Sequence, residues 1–189
     1  MKRIFIRGTL PRELKASVAA IGVFDGVHRG HQKVIGRAVD EARRLGVPSV
    51  VVTFDPHPVS VLHPRRFVPY IMTLEHRLRC IEALGADICV VIRFGRRFAQ
   101  QKPERFVHDF LIGQLHARKI IIGRDFHFGR GRRGSIPLLK SMGRAAGFSV
   151  EQINIIKNTD KNIKSTYIKK LISRGDLACL KHFLARPYS

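Results

Sequence analysis

The sequence predicts an α/β protein built on a Rossmann-like, doubly wound parallel sheet of about five strands. Three observations carry this expectation. Apolar runs alternate with amphipathic runs along nearly the whole chain, the pattern that parallel βα units produce. The apolar runs are almost uninterrupted, as strands covered by helices on both faces must be. The amphipathic runs carry their own start and stop residues.

Taken in order, "SVAAIGVF" (17–24) reads as a buried strand. "HQKVIGRAVDEARRLG" (31–46) follows as a helix, with Val34, Ile35, Ala38, Val39, Ala42 and Leu45 on one stripe and Gly46 as its stop. "PSVVVTF" (48–54) is a second strand. "TLEHRLRCIEALG" (73–85) is a helix that Thr73 caps and Gly85 ends. "ADICVVIRF" (86–94) is a third strand, and "KPERFVHDFLIGQLH" (102–116) a helix with Pro103 in its first turn. "ARKIIIG" (117–123), the helix "SIPLLKSMGRAAG" (135–147) and "FSVEQINII" (148–156) complete the sheet. "KSTYIKKLISRG" (164–175) and "DLACLKHFLA" (176–185) read as two closing helices. Residues 55–72 hold four prolines and no period, so they read as a long connecting flap.

A chain of 189 residues suits one domain. At this length roughly 70% of the unfolded surface is buried, enough to fold without disulfides or metal. Cys80, Cys89 and Cys179 have no metal-ligand spacing, which fits free thiols in a reducing cytoplasm. The basic start "MKRIFIRGTLPREL" lacks the apolar core of a secretory signal. No apolar run approaches the ~18 residues of a membrane span. A cytoplasmic protein is therefore expected, with no membrane insertion.

The net charge is +21, from 35 Lys and Arg against 14 Asp and Glu. Clusters stand at "HPRRF", "RFGRRF" and "GRGRRGS". Such a surface fits nucleic acid, acidic membrane surfaces or anionic small molecules, and equally a solvated basic exterior. Nothing resembles an RRM, a zinc finger or a helix-turn-helix, so the expected nucleic-acid affinity is sequence-blind and salt-sensitive.

Ligands of doubly wound sheets bind beyond the carboxyl ends of the strands. The loops there are "DGVHRGH", "DPHP", "RDFHFGRGRRG" and "KNTDKNIKST", rich in Gly, His, basic and hydroxyl residues. In "GVFDGVHRGH" the glycines allow close backbone approach. The following helix aims its positive end at the turn, favouring a phosphate. His28 and His31 can add donors. The same residues also fit a glycine-rich turn whose histidines cap the helix. Neither a dinucleotide fingerprint nor a P-loop is present.

These residues carry a resemblance. "GVFDGVHRGH" resembles the HxGH signature of nucleotidyltransferases, in the longer form found in the FMN adenylyltransferase module of bacterial bifunctional riboflavin kinase/FAD synthetases. The likeness continues in order through "VVTFDPHP", "TLEHRL", "IIIGRDFHFGRGRRG", "KSTYIKKLISRGDL" and "LARPYS". It implies an HxGH nucleotidyltransferase fold over residues 1–189 and the transfer of an adenylyl group from ATP to FMN, with Mg²⁺, giving FAD and pyrophosphate. By that resemblance His28 and His31 are catalytic. Gly22, Phe24, Asp25, Gly123, Asp125, Phe126, Ser165, Thr166 and Lys169 bind ATP. Asp55, Pro56, His57, Pro58 and Phe128 lie by the flavin. No metal ligand is assigned.

Two departures qualify the likeness. Where the family pattern is close to R-[IV]-S-S-T-x-I-R, this chain has Asn162, Lys164 and Lys169. A lysine lacks the bidentate fork of arginine, so a weaker grip on ATP is expected. A catalytically weakened or inactive nucleotide binder is the alternative reading, and a different phosphate acceptor a second. In the family, sequence like "ARPYS" leads into a riboflavin kinase domain; that domain is absent from these 189 residues, and no riboflavin phosphorylation is expected of them.

Overall fold

The structure is a computed structural model. It describes residues 1–7, 9–10, 14–154 and 165–187, with side chains for all of these except 177–179. The stretch containing Asn162 and Lys164 thus lies outside the described residues.

The chain runs through β1 (Lys2–Ile6), β2 (Ser17–Ile21), α1 (Arg29–Leu45), β3 (Ser49–Asp55), α2 (Pro58–Leu62), α3 (Leu74–Ala83) and β4 (Ile88–Arg93). It continues through α4 (Arg96–Ala99), α5 (Pro103–Arg105), a π-helical segment (Phe106–Ile112), β5 (Ala117–Gly123), α6 (Ile136–Ala146), β6 (Ser149–Ile153), α7 (Ser165–Ser173) and α8 (Leu177–Leu184). Among the described residues the six strands form one parallel sheet, in the order β1-β4-β3-β2-β5-β6.

The doubly wound α/β architecture stands as expected, but with six strands rather than about five. The additional strand is β1, an edge strand beside β4. It is five residues long, with Lys2 and Phe5 exposed, so it lacks the continuous apolar character that marks the buried strands. The histidine turn therefore follows the second strand. From β2 the chain winds outward through β3 and β4, then returns to place β5 and β6 on the other side. The switch point lies between β2 and β5, where a crevice opens at the carboxyl ends.

Local chemistry explains the helices that frame this crevice. In α1 the stripe Val34, Ile35, Ala38, Val39 and Ala42 is buried against the sheet, each larger side chain contributing about 1.5–3 kcal/mol. Gly46 closes the helix in the left-handed region, and the N–H of Val47 bonds back to Ala42. Thr73 caps α3 and Ser135 caps α6 through their hydroxyls.

Two expectations change. The flap 55–72 contains the short helix α2, started by Pro58. The helix expected at 102–116 is one α-helical turn followed by the π-helical segment, where Gly113 N–H bonds His108 O and Leu115 N–H bonds Phe110 O. That wider winding keeps Phe106, Phe110 and Leu111 all buried.

Apolar clusters fill both faces of the sheet. A third, separate cluster joins α7 and α8 through Ile168, Leu171, Leu180, Phe183 and Leu184, and Ile71 plugs it into the body of the protein.

Candidate active site

A cleft of about 780 Å³ opens at the switch point. The sheet register sets its floor: Ile21 pairs with Ile122, so Gly22 and Gly123 leave their strands side by side. A Cβ on Gly22 would sit 2.9 Å from the Phe24 ring, whereas one on Gly123 would meet nothing within 4 Å. Packing requires the first glycine. The second leaves backbone bare to the cleft.

The turn between β2 and α1 is strained. Phe24 has φ 52°, Gly26 92° and Val27 40°; for a β-branched residue such as Val27 this is a costly conformation, of order 1–3 kcal/mol. It delivers His28 to the N-cap of α1, one turn below His31. The rings stack at 3.6 Å between centroids, and the Phe24 edge meets His31 at 5.3 Å. His28 Nδ1 accepts the His31 backbone N–H at 3.3 Å, so the proton of the neutral ring is assigned to Nε2. The capping reading thus holds for His28, and the same ring still lines the cleft. Burial pushes His28 down to about 4. It also drives His31 well below its ordinary range, helped by His28 and Arg77. Both are neutral at pH 7. Among the described residues, His31 Nδ1 is buried without a hydrogen-bond partner, an acceptor or donor left over for a ligand.

The loop after β3 brings His57 to the cleft. His57 caps α2, its Nδ1 accepting from Val59 N–H at 3.1 Å, while its backbone N–H donates to Tyr70 Oη at 2.7 Å. Burial lowers its pKa, and the Lys169 charge lowers it further.

Arg77, which the sequence reading passed over, ties these loops together. It is 1% exposed and donates to the carbonyls of Val23 at 2.8 Å and Phe54 at 3.1 Å, and to Asp55 Oδ1 at 3.3 Å. The signal was present: Arg77 occupies an apolar position of the α3 stripe, beside Leu78 and one turn before Ile81.

The opposite end of the cleft is aromatic. Phe54, Phe94 and Phe98 contact one another at 5.6–6.1 Å, and the chain of rings continues through Phe106 and Phe128 to Phe126. Gly134 and Gly129 make room for this packing, since a Cβ on either would meet Phe128 or Pro103 at 2.6 Å. Of these rings only Phe126 and Phe128 had been singled out. The others come from three separate segments, at 54, 94–98 and 106, and no single-sequence pattern relates them.

Of the expected residues, the cleft gathers Gly22, Phe24, His28, His31, His57, Pro58, Gly123, Asp125, Phe126, Phe128 and Ser165. It does not gather Asp25, Asp55, Pro56, Thr166 or Lys169. Asp55 faces an adjoining open groove of about 1050 Å³ with Tyr70 and Thr73. Pro56 and Thr166 are exposed. Asp25 is buried behind the turn. Its Oδ1 accepts Ile71 N–H at 3.0 Å, its Oδ2 pairs with Lys169 Nζ at 2.9 Å, and its carbonyl accepts the Ser165 hydroxyl at 3.2 Å. Lys169 is thus engaged with a carboxylate, not pointed at the cleft.

Residues 10–167 match the family model described as FAD synthetase. The chain is 35% identical over 182 residues to the bifunctional riboflavin kinase/FMN adenylyltransferase of Bacillus subtilis (strain 168), covering 95% of this chain and 56% of that protein. It is 33% identical over 174 residues to the protein of the same name from Buchnera aphidicola subsp. Schizaphis graminum (strain Sg), covering 92% of this chain and 56% of that protein. The chain therefore spans somewhat over half the length of these relatives. Among solved structures it superimposes on one titled as a macrolide-efflux protein from Streptococcus pneumoniae, with a TM-score of 0.85 and 26% identity, over 100% of this chain and 61% of that one. With the family model spanning most of the sequence, from just after β1 into α7, this chain belongs to the FAD synthetase family.

Proposed function

We propose that this chain transfers the adenylyl group of ATP to FMN, forming FAD and releasing pyrophosphate. One observation carries the reading: the neutral histidine pair and the phenylalanine wall face the same cleft. A phosphate-bearing substrate with a flat apolar ring system fits both ends at once. In the step itself an FMN phosphate oxygen bonds to the α-phosphorus of ATP, and the bond from that phosphorus to the β-phosphate's bridging oxygen breaks. Charge accumulates on the transferring group and the leaving pyrophosphate, so catalysis consists of positioning and neutralisation. His28 donates through Nε2–H, His31 offers its unmatched ring nitrogen, and the positive end of the 17-residue helix α1 lies behind them. Gly123 leaves room for close approach by the nucleotide, and the phenylalanines hold the isoalloxazine ring by stacking.

Among the described residues no group of three His, Cys, Asp or Glu side chains is placed to hold a metal ion. Magnesium commonly keeps several waters and binds through substrate phosphates with one or two carboxylates. The fit is therefore to an ion that arrives with ATP, and Asp125 is the carboxylate among the described lining residues. When bound, that ion would neutralise phosphate charge. No helix among the described residues is long and apolar enough to cross a membrane. Among the described residues Cys80 and Cys89 are free thiols, which fits a reducing cytoplasm. The 189 residues are read as one nucleotidyltransferase domain. The charge of +21 supports an additional, sequence-blind affinity for nucleic acid.

The deciding experiment incubates the protein with FMN, ATP and Mg²⁺ and follows FAD and pyrophosphate. Equimolar appearance of both is expected. Bound ATP with no FAD would overturn the reading in favour of a nucleotide-binding homologue.

A further inference from the structure

We propose that Arg186 is a positioning residue for the histidine turn, holding it from the far end of the chain through the backbone carbonyl of Gly26. The guanidinium donates through Nη2 to Gly26 O at 2.9 Å and through Nη1 to Leu184 O at 3.3 Å. The same Leu184 carbonyl accepts from Gln32 Nε2 at 2.8 Å, and Gln32 Nε2 also reaches Val27 O at 2.9 Å. Arg186 and Gln32 thus grip the carbonyls of the two residues directly before His28, sharing one acceptor at the end of α8.

The turn needs such a grip. Gly26 and Val27 both have positive φ, and a non-glycine residue keeps that conformation only where its surroundings over-determine it. Asp25 is fixed separately, by Ile71, Ser165 and Lys169. Those links stop one residue short of Gly26; beyond them the turn has its own bond from Val27 N–H to Phe24 O at 3.1 Å, and Arg186 and Gln32 supply the side-chain hold on the two residues before His28. Among the described residues Arg186 Nε is buried without a hydrogen-bond partner, an unfavourable placement that the two Nη bonds offset. A planar fork can span two carbonyls at fixed geometry, which an ammonium cannot. With the fork gone, the turn is free to relax, and His28 loses both its aim into the cleft and its burial.

The kinetic arm of the test rests on adenylyl transfer to FMN; the spectroscopic arm does not. Arg186→Ala, Arg186→Lys and the exposed control Arg174→Ala are compared with the parent protein, following the assigned His28 ring by NMR across pH and measuring FAD formation. In Arg186→Ala the His28 titration should rise from about 4 toward 6.5, as solvent reaches the ring. Its kcat should fall about 10- to 100-fold, the scale of a small misplacement in a positioned site, with KM for ATP and FMN little changed. Arg186→Lys should recover part of both losses, and Arg174→Ala should match the parent. If Arg186→Ala does not fold, Arg186→Lys and Gln32→Met carry the same test, each shifting His28 upward. An unchanged His28 titration in a less stable variant would reduce Arg186 to a structural contact and overturn the proposal. A raised KM with kcat intact would overturn it too, by making Arg186 a substrate contact. Should the parent make no FAD, the titration alone decides.

Discussion

The histidine end of the cleft is held by hydrogen bonds from across the chain, and the aromatic end by packing. Val23, Gly26 and Phe54 give carbonyls to Arg77 and Arg186 from distant elements, and Val27 gives its own to Gln32 in the helix that follows. Three of the four turn positions 24–27 have positive φ. The phenylalanines at the other end have no polar partner to satisfy and touch edge to face or offset. Under the proposed adenylyl transfer, the difference follows from what each end must do. Donors aimed at a transferring phosphate lose effect with small displacements, so their backbone is over-determined. A ring binding by stacking tolerates lateral slip, and packing suffices.

The largest test of that contrast removes the rings at the polar end. His28→Ala and His31→Ala should each lower kcat for FAD formation by about 100- to 1000-fold, or 2.7–4 kcal/mol of barrier, with KM for FMN nearly constant. Parent-like rates in both would move the chemistry elsewhere in the cleft.

A smaller effect lies in the dependence of stability on pH. His28 titrates near 4 in the folded chain against an ordinary 6.5. Between those values the unfolded chain takes up a proton that the folded one does not, so stability is fully present above pH 6.5 and falls as pH drops toward 4. The loss between pH 7 and pH 5 should be roughly 2 kcal/mol for this one group, read from denaturant midpoints. His28→Ala should flatten that part of the profile, and an equal slope in the variant would show that its burial does not set the titration.

The smallest belongs to the aromatic end. Phe94→Ala should raise KM for FMN about tenfold, equivalent to the ~1–1.5 kcal/mol of one aromatic contact, while ATP binding stays as it was. An equal rise in both KM values would mean that the wall is a scaffold for the whole cleft and not a flavin platform.

Much of this was readable before any coordinates. The stripe of α1, its Gly46 stop and the caps Thr73 and Ser135 depend on neighbours within a turn, and local pattern captures them. The strand β1 escaped because an edge strand needs no continuous apolar run. The π-helical winding at Phe106 escaped because its cause is tertiary packing of Phe106, Phe110 and Leu111. At the site, His28, His31, Gly22 and Gly123 stood in one motif or directly after a strand. Arg77 and Arg186 escaped because their partners are backbone carbonyls, which every residue has and no sequence marks. Lys169 was expected at a phosphate, but the buried carboxylate of Asp25 is the nearer anion.

By itself, then, the sequence determined the parallel α/β fold, the family and the histidine turn, because hydrophobic period and short motifs are written in adjacent residues. The tertiary structure decided which side chains share the cleft. It gathered phenylalanines from four segments into one wall, turned Asp25 away from the cleft, and brought Arg186 to Gly26 across 160 residues. Those outcomes depend on sheet order and loop closure, and long-range proximity leaves no local trace in the chain.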